Sequence, residues 1–274
     1  AARAPFPVRI EKNPHNLTTT PNFGKAISLC TGDVVFLSDQ DDVWLPEKLA
    51  AMGEVFDGEP SVGAAICNGS VCDGALRPLG HEFWEALWFH PAERRAVREG
   101  RATEVFAKHV VASGNTLGFR SELRDLVLPF PDLHDCADAW IAFLVASVAD
   151  FRLVERELIL YRVHGDNQFG IRRPGLREQI ARARWQIEEG LFDHAVRLFS
   201  AIEQRLEESA AAGRPPRPGT LELVRGRIAH FEVRDAMSDR VWRRLPQIAG
   251  EIHSRAYWRY SYGLRSVAQD LLLR

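Results

Sequence analysis

The sequence predicts an α/β fold with a mostly parallel, doubly wound sheet, followed by an α-helical C-terminal region. Short apolar runs rich in β-branched residues alternate with stretches of helical spacing over the first part of the chain. After Arg172-Arg173-Pro174-Gly175, only stretches of helical spacing follow. The 274 residues, 46% of them hydrophobic, suffice for about two domains with a sizeable core. Disordered and fibrous classes are thereby excluded.

Four elements establish the alternation. Asn22–Cys30 has helical spacing, and Asp33–Leu37 is a short β-branched run of the kind that forms a buried parallel strand. Pro46–Phe56 predicts the next helix, and Val62–Cys67 predicts the next strand. Because helices and strands follow one another in this way, crossovers between parallel strands are expected.

The middle of the chain is less regular. Trp84–Arg101 is rich in Trp and Arg and fits either a helix or a loop. Val110–Phe119 predicts a strand that its glycines kink where it passes a ligand. The remaining elements predicted before residue 170 are a short apolar element at Leu123–Val127, a turn at Pro129 and Pro131, a helix over Asp135–Val148 and a strand over Glu157–Tyr161.

Charge divides the chain in two. Residues 1–171 carry 16 basic and 24 acidic side chains, whereas residues 172–274 carry 19 basic and 13 acidic ones, with no Lys among the basic residues. We therefore predict a first domain over residues 1–170 and a helical C-terminal extension over residues 171–274. The helical stretches predicted in the extension are Leu176–Glu208, Leu221–Arg234, Val241–Ile252 and Tyr257–Leu273, with Gly213–Pro218 as a linker.

Composition excludes several classes of protein. The formal net charge of −2 shows that the surface is not coated in positive charge for nucleic acid, so no nucleic-acid partner is expected. Ala139–Ala149, the longest apolar run, is far shorter than the roughly 20 residues of a membrane-spanning helix. The 4 cysteines form no CxxC pair and have no histidines at zinc spacing. They predict reduced, mostly buried thiols in a cytoplasmic protein.

Three carboxylates in four positions give the sharpest chemical signal. Asp39, Asp41 and Asp42 follow directly after the strand predicted at Asp33–Leu37. Ligands of open α/β sheets bind beyond the carboxyl ends of the strands, which is where this cluster lies. Carboxylates so close together repel one another, and a hard divalent cation such as Mg²⁺ or Mn²⁺ relieves the repulsion. A solvated acidic turn that caps the helix near Glu47 is the structural alternative.

Two further polar groups follow along the chain. His134–Trp140 begins a helix, where a carboxylate acts either as a helix cap or as a general base. Tyr161–Asn167 ends a strand and contains Arg162, His164 and Asn167. Taken singly, each group also fits an ordinary structural role.

Together these residues resemble family 2 glycosyltransferases. The segment similar to the one that holds the family's DxD metal motif consists of Asn16-Leu17, Asn22-Phe23, Ala26, Thr31-Gly32-Asp33, the run FLSDQDDVW, Pro46, Lys48 and Leu49. Asp138-Ala139-Trp140-Ile141-Ala142 resembles the acidic site before the acceptor-side helix, and Leu158–Gly165 with Asn167 resembles the closing strand. The DQDDxW form is most similar to rhamnosyltransferase-type enzymes of bacterial surface polysaccharide synthesis. Thr18 departs from the Gly that is usual in the family.

The resemblance covers residues 8–170 and implies a GT-A fold, with a Rossmann-like sheet that is N-terminally truncated here. Nothing similar to the family's first strand and helix precedes Ala1, so the chain is expected to be a fragment of the catalytic domain. The implied reaction moves a sugar from a UDP- or dTDP-linked donor to a hydroxyl of a saccharide or lipid-linked acceptor, with inversion.

The resemblance also implies roles for individual residues. Asp41, with Asp39 and His164, is expected to hold Mg²⁺ or Mn²⁺. Asp138 is expected to be the general base, with Asp135 of the pair His134-Asp135 as the alternative. The implied donor- and substrate-binding residues are Asn22, Lys25, Asp39, Gln40, Asp42, Trp44, Gly114, Asn115, Trp140 and Arg162.

Two other interpretations of the acidic cluster stay open. Haloacid dehalogenase-like phosphatases also place Asp-x-Asp after a hydrophobic strand, although Asp42 and Trp44 interrupt their pattern here. A degenerate or truncated domain that no longer binds a donor is the non-enzymatic alternative.

The C-terminal tail predicts a further contact. His253–Arg265 interleaves three arginines with four aromatic residues, a mixture that suits a membrane interface. Peripheral contact at the inner face of the plasma membrane, through the C-terminal helices, is therefore one prediction. Packing against the rest of the chain is the other.

Overall fold

A six-stranded sheet organises the N-terminal part of the computed structural model, which describes residues 5–163 and 176–273. The strands are β1 (Val34–Phe36), β2 (Val43–Trp44), β3 (Val62–Asp73), β4 (Pro78–Glu82), β5 (Leu117–Arg120) and β6 (Asp150–Val163). Their order across the sheet is β1-β5-β3-β6-β2, and β4 pairs with β3. The α/β class is thereby confirmed.

The sheet is mixed, so the expectation of a mostly parallel sheet is wrong. Among the described strands, β3 and β6 form the parallel pair. The pairs β1–β5, β3–β5, β3–β4 and β2–β6 are antiparallel. A continuous apolar run such as that of β3 indicates burial on both faces but does not give the direction of the neighbouring strands.

Seven helices of the described N-terminal range accompany the sheet. They are α1 (Thr19–Leu29), α2 (Lys48–Gly58), α3 (Phe83–Ala86), α4 (Pro91–Arg98), α5 (Ala102–Phe106), α6 (Arg124–Val127) and α7 (Ala137–Val148). Trp84–Arg101 is therefore mostly helical. Its second helix, α4, starts at Pro91 behind a capping box, in which the backbone N–H of His90 donates to Glu93 Oε2 at 3.2 Å.

Val110–Phe119 is not the single kinked strand that the sequence predicted. Gly114–Thr116 form one 3₁₀ turn, and β5 begins only at Leu117. Gly118 of β5 lies opposite Phe36 of β1, and a Cβ at this position would come within 2.5 Å of Phe36 Cε1. A glycine is therefore needed for β1 and β5 to approach this closely.

The C-terminal part is helical throughout its described residues. The helices are α8 (Leu176–Glu188), α9 (Leu191–Ala211), α10 (Thr220–Asp235), α11 (Val241–His253), α12 (Ala256–Tyr260) and α13 (Leu264–Leu272). Gly190, at φ 81°, separates α8 from α9, and Gly263, at φ 59°, separates α12 from α13. Both glycines break stretches that the sequence predicted as continuous.

The hydrophobic core extends from the sheet into the C-terminal helices. Ile202 and Leu206 of α9 are fully buried in the same cluster as Phe143 of α7. The rings of Phe143 and Phe199 meet edge to face with centroids 5.2 Å apart. The boundary predicted at residues 170 and 171 lies outside the described residues. Over the described ranges, no helix combines the length and the apolar character needed to cross a bilayer.

A buried ion pair joins α10 to α13. Arg234 Nε donates to Asp270 Oδ2 at 2.7 Å, and neither side chain is more than 2% exposed. The hydroxyl of Tyr257 donates to the same carboxylate oxygen at 2.7 Å. Since a buried charge is costly unless it is paired, these bonds hold α10, α12 and α13 together.

Candidate active site

The acidic cluster forms the loop between β1 and β2. Asp39, Asp41 and Asp42 are half-buried there, while Gln40 is exposed. Asp42 Oδ1 accepts a hydrogen bond of 2.9 Å from the backbone N–H of Arg162 on β6. Asp42 Oδ2 accepts another from the side-chain amide of Asn115. Asp42 therefore ties the loop to the far strand and to the Gly114–Thr116 turn.

Negative charge accumulates in this loop. Burial raises the pKa of Asp39 to about 6, and the charges of Asp42 and Asp41 act in the same direction. Burial also raises the pKa of Asp42, against the hydrogen bonds from Arg162 and Asn115. A cation near these carboxylates would therefore be strongly favoured.

Lys48, at the start of α2, is a site residue that sequence reasoning missed. Its side chain is fully buried, and Nζ donates to the backbone carbonyl of Asn115 at 2.5 Å. The ammonium also lies 3.7 Å from the centroid of the Trp44 ring. Burial lowers the pKa of Lys48 to about 8. Its proximity in sequence to the acidic cluster is the signal that could have indicated a role.

Asp138 faces the same turn from the other side. It lies in the first turn of α7, and its carboxylate accepts a hydrogen bond from the backbone N–H of Gly114. A Cβ at Gly114 would lie 3.0 Å from Asp138 Oδ1, so the turn backbone approaches closely. Burial raises the pKa of Asp138 to about 7, and the charges of Asp39 and Asp135 add to this. A carboxyl with such a pKa is suited to accept a proton near neutral pH.

Asp135, the alternative base, has a different environment from that of Asp138. It is exposed, precedes the N-cap residue Cys136 and has a left-handed backbone with φ 48°. Of the two candidates, Asp138 is the one hydrogen-bonded to the Gly114–Thr116 turn.

A cleft of about 800 Å³ opens beside the acidic loop. Asn22 in the first turn of α1 lines it together with Asp39 and Gln40. Asn13 accepts a 2.8 Å hydrogen bond from Lys25 Nζ and donates one of 2.9 Å to Asn22 Oδ1. Lys25 therefore braces the wall of the cleft through Asn13. The size and polar lining of the cleft are suited to a small polar ligand.

Comparison with known proteins now identifies the N-terminal part. Residues 1–126 match the sequence profile of glycosyl transferase family 2. They belong to that family. An uncharacterized glycosyltransferase of Nostoc sp. is 25% identical over 176 residues, which cover 61% of this chain and 50% of the relative. The chain thus spans half the length of this curated relative.

A solved structure is also similar to this chain. It is the mannosyltransferase PcManGT from Pyrobaculum calidifontis in complex with GDP-Man and Mn²⁺. The similarity has a TM-score of 0.43 at 19% sequence identity, and it covers 95% of this chain and 61% of the other.

Two of the predicted site residues lie away from the cleft. Trp140 is 1% exposed, and its indole N–H donates to the carbonyl of Val127 at 2.7 Å, so it packs in the core. Asn115 is fully buried and acts on Asp42 rather than on the open cleft. His164 lies outside the described residues.

The carboxylate oxygens of the acidic loop could form part of a metal site. In residues 5–163 and 176–273, no three His, Cys, Asp or Glu side chains are placed to ligate one ion together. Asp42 is engaged by two hydrogen bonds, and the carboxylates of Asp39 and Asp41 lie in the same loop. Mg²⁺ is commonly bound by one or two carboxylates together with substrate phosphates and water, so this incomplete set fits such an ion.

Proposed function

We propose that this chain transfers a sugar from a nucleoside-diphosphate donor to a hydroxyl of a saccharide or lipid-linked acceptor, with inversion. The observation that carries the proposal is the Gly114–Thr116 turn, which joins the acidic loop at Asp42 to a carboxyl with a pKa of about 7 at Asp138. One group is suited to a leaving diphosphate and the other to an attacking hydroxyl. Membership of residues 1–126 in glycosyl transferase family 2 supports the reaction class.

On this proposal, the donor lies in the cleft between Asn22 and Asp39. Asp39 and Asp41 hold Mg²⁺ or Mn²⁺, with His164 as a third proposed ligand. The ion, when bound, neutralises charge on the diphosphate as it leaves. We further propose a UDP- or dTDP-linked donor and, from the DQDDxW pattern, rhamnosyl transfer in bacterial polysaccharide synthesis.

Asp138 accepts the proton of the acceptor hydroxyl as that oxygen attacks the anomeric carbon from the face opposite the leaving group. Direct displacement forms the new C–O bond as the bond to the diphosphate breaks, which inverts the anomeric centre. The Gly114 N–H holds the carboxylate in place while it takes the proton. The raised pKa makes Asp138 a stronger base than an ordinary carboxylate.

Calorimetry tests the proposal. UDP, dTDP and GDP are titrated into the 274-residue chain with and without Mn²⁺, and into Asp41→Ala, with the surface variant Asp57→Ala as control. We expect one nucleotide to bind in a metal-dependent manner, and Asp41→Ala to abolish that binding. Failure of all three nucleotides, or binding that Asp41→Ala leaves unchanged, would refute the donor site and favour the phosphatase or degenerate-domain interpretation.

We also propose that α11 contacts an anionic lipid surface, where a lipid-linked acceptor would lie. Two of the four aromatic residues of the predicted tail, Tyr257 and Tyr260, are buried, and Trp258 and Tyr262 are exposed. α11 also exposes apolar side chains and buries Arg244, which is 1% exposed. The exposed apolar residues of α11 are Val241, Trp242, Leu245 and Ile252. Arg240 and Arg243 are exposed beside them, a combination typical of interfacial helices.

Vesicle sedimentation tests the lipid contact. Trp242→Ala with Leu245→Ala is compared with Trp258→Ala, which removes another exposed tryptophan. We expect the wild type and Trp258→Ala to sediment with phosphatidylglycerol vesicles and the double variant to stay in solution. Equal sedimentation of all three, or none by the wild type, contradicts the contact.

A further inference from the structure

Lys48 carries a buried charge that the proposed reaction does not use. Its side chain is fully buried, although an ammonium group is expensive to remove from water. The Asn115 carbonyl at 2.5 Å and the Trp44 ring at 3.7 Å stabilise the ammonium, as do the charges of Asp42 and Asp39. A lysine maintained at that cost, directly beneath the acidic loop, requires an explanation beyond packing.

The carbonyl that Lys48 contacts belongs to the turn that joins both halves of the site. The Asn115 side chain donates to Asp42, and the Gly114 N–H donates to Asp138. Within the turn, Thr116 Oγ1 donates to the Ser113 carbonyl at 2.8 Å, which shapes the turn but does not anchor it to other elements. Lys48 supplies an anchor from α2, 67 residues earlier in the chain.

We propose that Lys48 is a positioning residue that clamps the Gly114–Thr116 turn and thereby fixes the orientation of Asp138. The proposal rests on the proposed function, since it assumes that Asp138 takes the proton. Asp42 also accepts a 2.9 Å hydrogen bond from Arg162, which does not involve the turn, so we expect the acidic loop to stay in place when the turn shifts. Loss of Lys48 therefore acts on turnover rather than on donor binding.

Amide hydrogen exchange tests the clamp without any ligand. A peptide covering residues 110–120 is followed by mass spectrometry in the wild type, Lys48→Met and Lys108→Met. Lys108 is half-buried in the loop after α5 and serves as a matched control for the same substitution. We expect exchange in this peptide to be at least about tenfold faster in Lys48→Met and unchanged in Lys108→Met. Equal protection in all three proteins overturns the proposal.

Kinetics test the consequence for catalysis. Release of nucleoside diphosphate from UDP-glucose and dTDP-rhamnose is measured with Mn²⁺, beside the calorimetric Kd for the nucleotide. We expect kcat of Lys48→Met to fall about 100-fold, as a displacement of about 1 Å can cause, with the Kd changed less than about threefold. A kcat within about threefold of the wild type, or a Kd weakened as much as kcat, overturns the proposal.

A second variant and the ligand-free exchange experiment distinguish misfolding, failure of the proposed function and failure of the clamp. If Lys48→Met does not fold, Lys48→Gln is used, for which we expect faster exchange and a kcat loss of about tenfold, since its neutral amide is one atom shorter. Unchanged exchange in Lys48→Gln overturns the proposal equally. If the wild type binds no nucleotide, the proposed function fails, and the exchange experiment alone still decides whether Lys48 holds the turn.

Discussion

Replacement of Asp138 by Asn is the perturbation that tests the chemistry most directly. A general base must be deprotonated to act, and burial raises the pKa of Asp138 from 3.8 to about 7. Turnover should therefore fall about tenfold for each pH unit below about 7. Asp138→Asn keeps an oxygen that accepts from the Gly114 N–H but removes the proton acceptor. We expect kcat to fall by about a hundred- to ten-thousandfold, with little change in donor binding.

Asp135→Asn is the matched control. Asp135 is exposed and has a backbone φ of 48°, which Asn tolerates, so the fold should be unaffected. The negative charge of Asp135 raises the pKa of Asp138. Its removal should therefore move the acid limb of the pH–rate profile to lower pH and leave kcat at high pH within about twofold of the wild type.

The assay is nucleoside diphosphate release under donor saturation, followed between about pH 5 and pH 9. Wild-type turnover in Asp138→Asn would refute the assignment of the base. A hundredfold loss in Asp135→Asn, with Asp138→Asn unaffected, would transfer the role to Asp135. The absence of an acid limb above about pH 5 would show that burial does not tune the base.

Asp138→Asn should also stabilise the fold. A carboxyl pKa raised from 3.8 to about 7 disfavours the ionised form by at most about 4 kcal/mol. The unfolded chain ionises near 3.8, so this cost grows as pH rises from there to about 7 and is constant above. Urea denaturation should show a gain of about 1–3 kcal/mol at pH 8 and a smaller one at pH 5. An equal gain at both pH values would contradict this reasoning.

Three further outcomes are expected. Asp270→Ala leaves the buried Arg234 without its carboxylate partner. Chemical denaturation should show a free energy of unfolding lower by about 3–5 kcal/mol. A loss below about 1 kcal/mol would contradict the buried ion pair. Protons should compete with Mn²⁺ for Asp39 as the pH falls through the pKa of that carboxyl, about 6. The calorimetric Kd for metal-dependent nucleotide binding should therefore rise below that pH, and a Kd that does not change with pH would contradict the competition. Gly118→Ala should cost about 1–3 kcal/mol in thermal unfolding, because its Cβ would meet the Phe36 ring, and a neutral effect would show that the ring moves freely.

Sequence reasoning located the elements that local pattern determines. The helix predicted over Asp135–Val148 corresponds to α7, and the strand predicted over Val62–Cys67 forms the first half of β3. β2 escaped prediction because it has two residues, and its pairing with Ile159 and Leu160 of β6 creates it. A strand this short has no periodicity for a sequence to display.

The candidate site also combines residues that local pattern indicates with contacts that only the fold creates. The acidic loop and Asp138 stand out as motifs, but the bonds that join them connect residues far apart in the chain, such as Lys48 and Asn115. The resemblance implies that Trp140 binds the substrate. Residues at positions i and i+2 of a helix point to different faces, so Trp140 enters the core while Asp138 faces the turn.

The charges of the site explain how the domain tolerates so many carboxylates. In the described part of the chain, Asp39, Asp41, Asp42 and Asp138 are accompanied by the nearby charges of Lys48 and Arg162. These charges leave an excess of negative charge that a divalent cation would reduce. Without such an ion the raised pKa values of Asp39 and Asp138 provide partial relief, because protons can occupy these two carboxyls. Binding of a metal with its donor would then displace protons from the acidic loop.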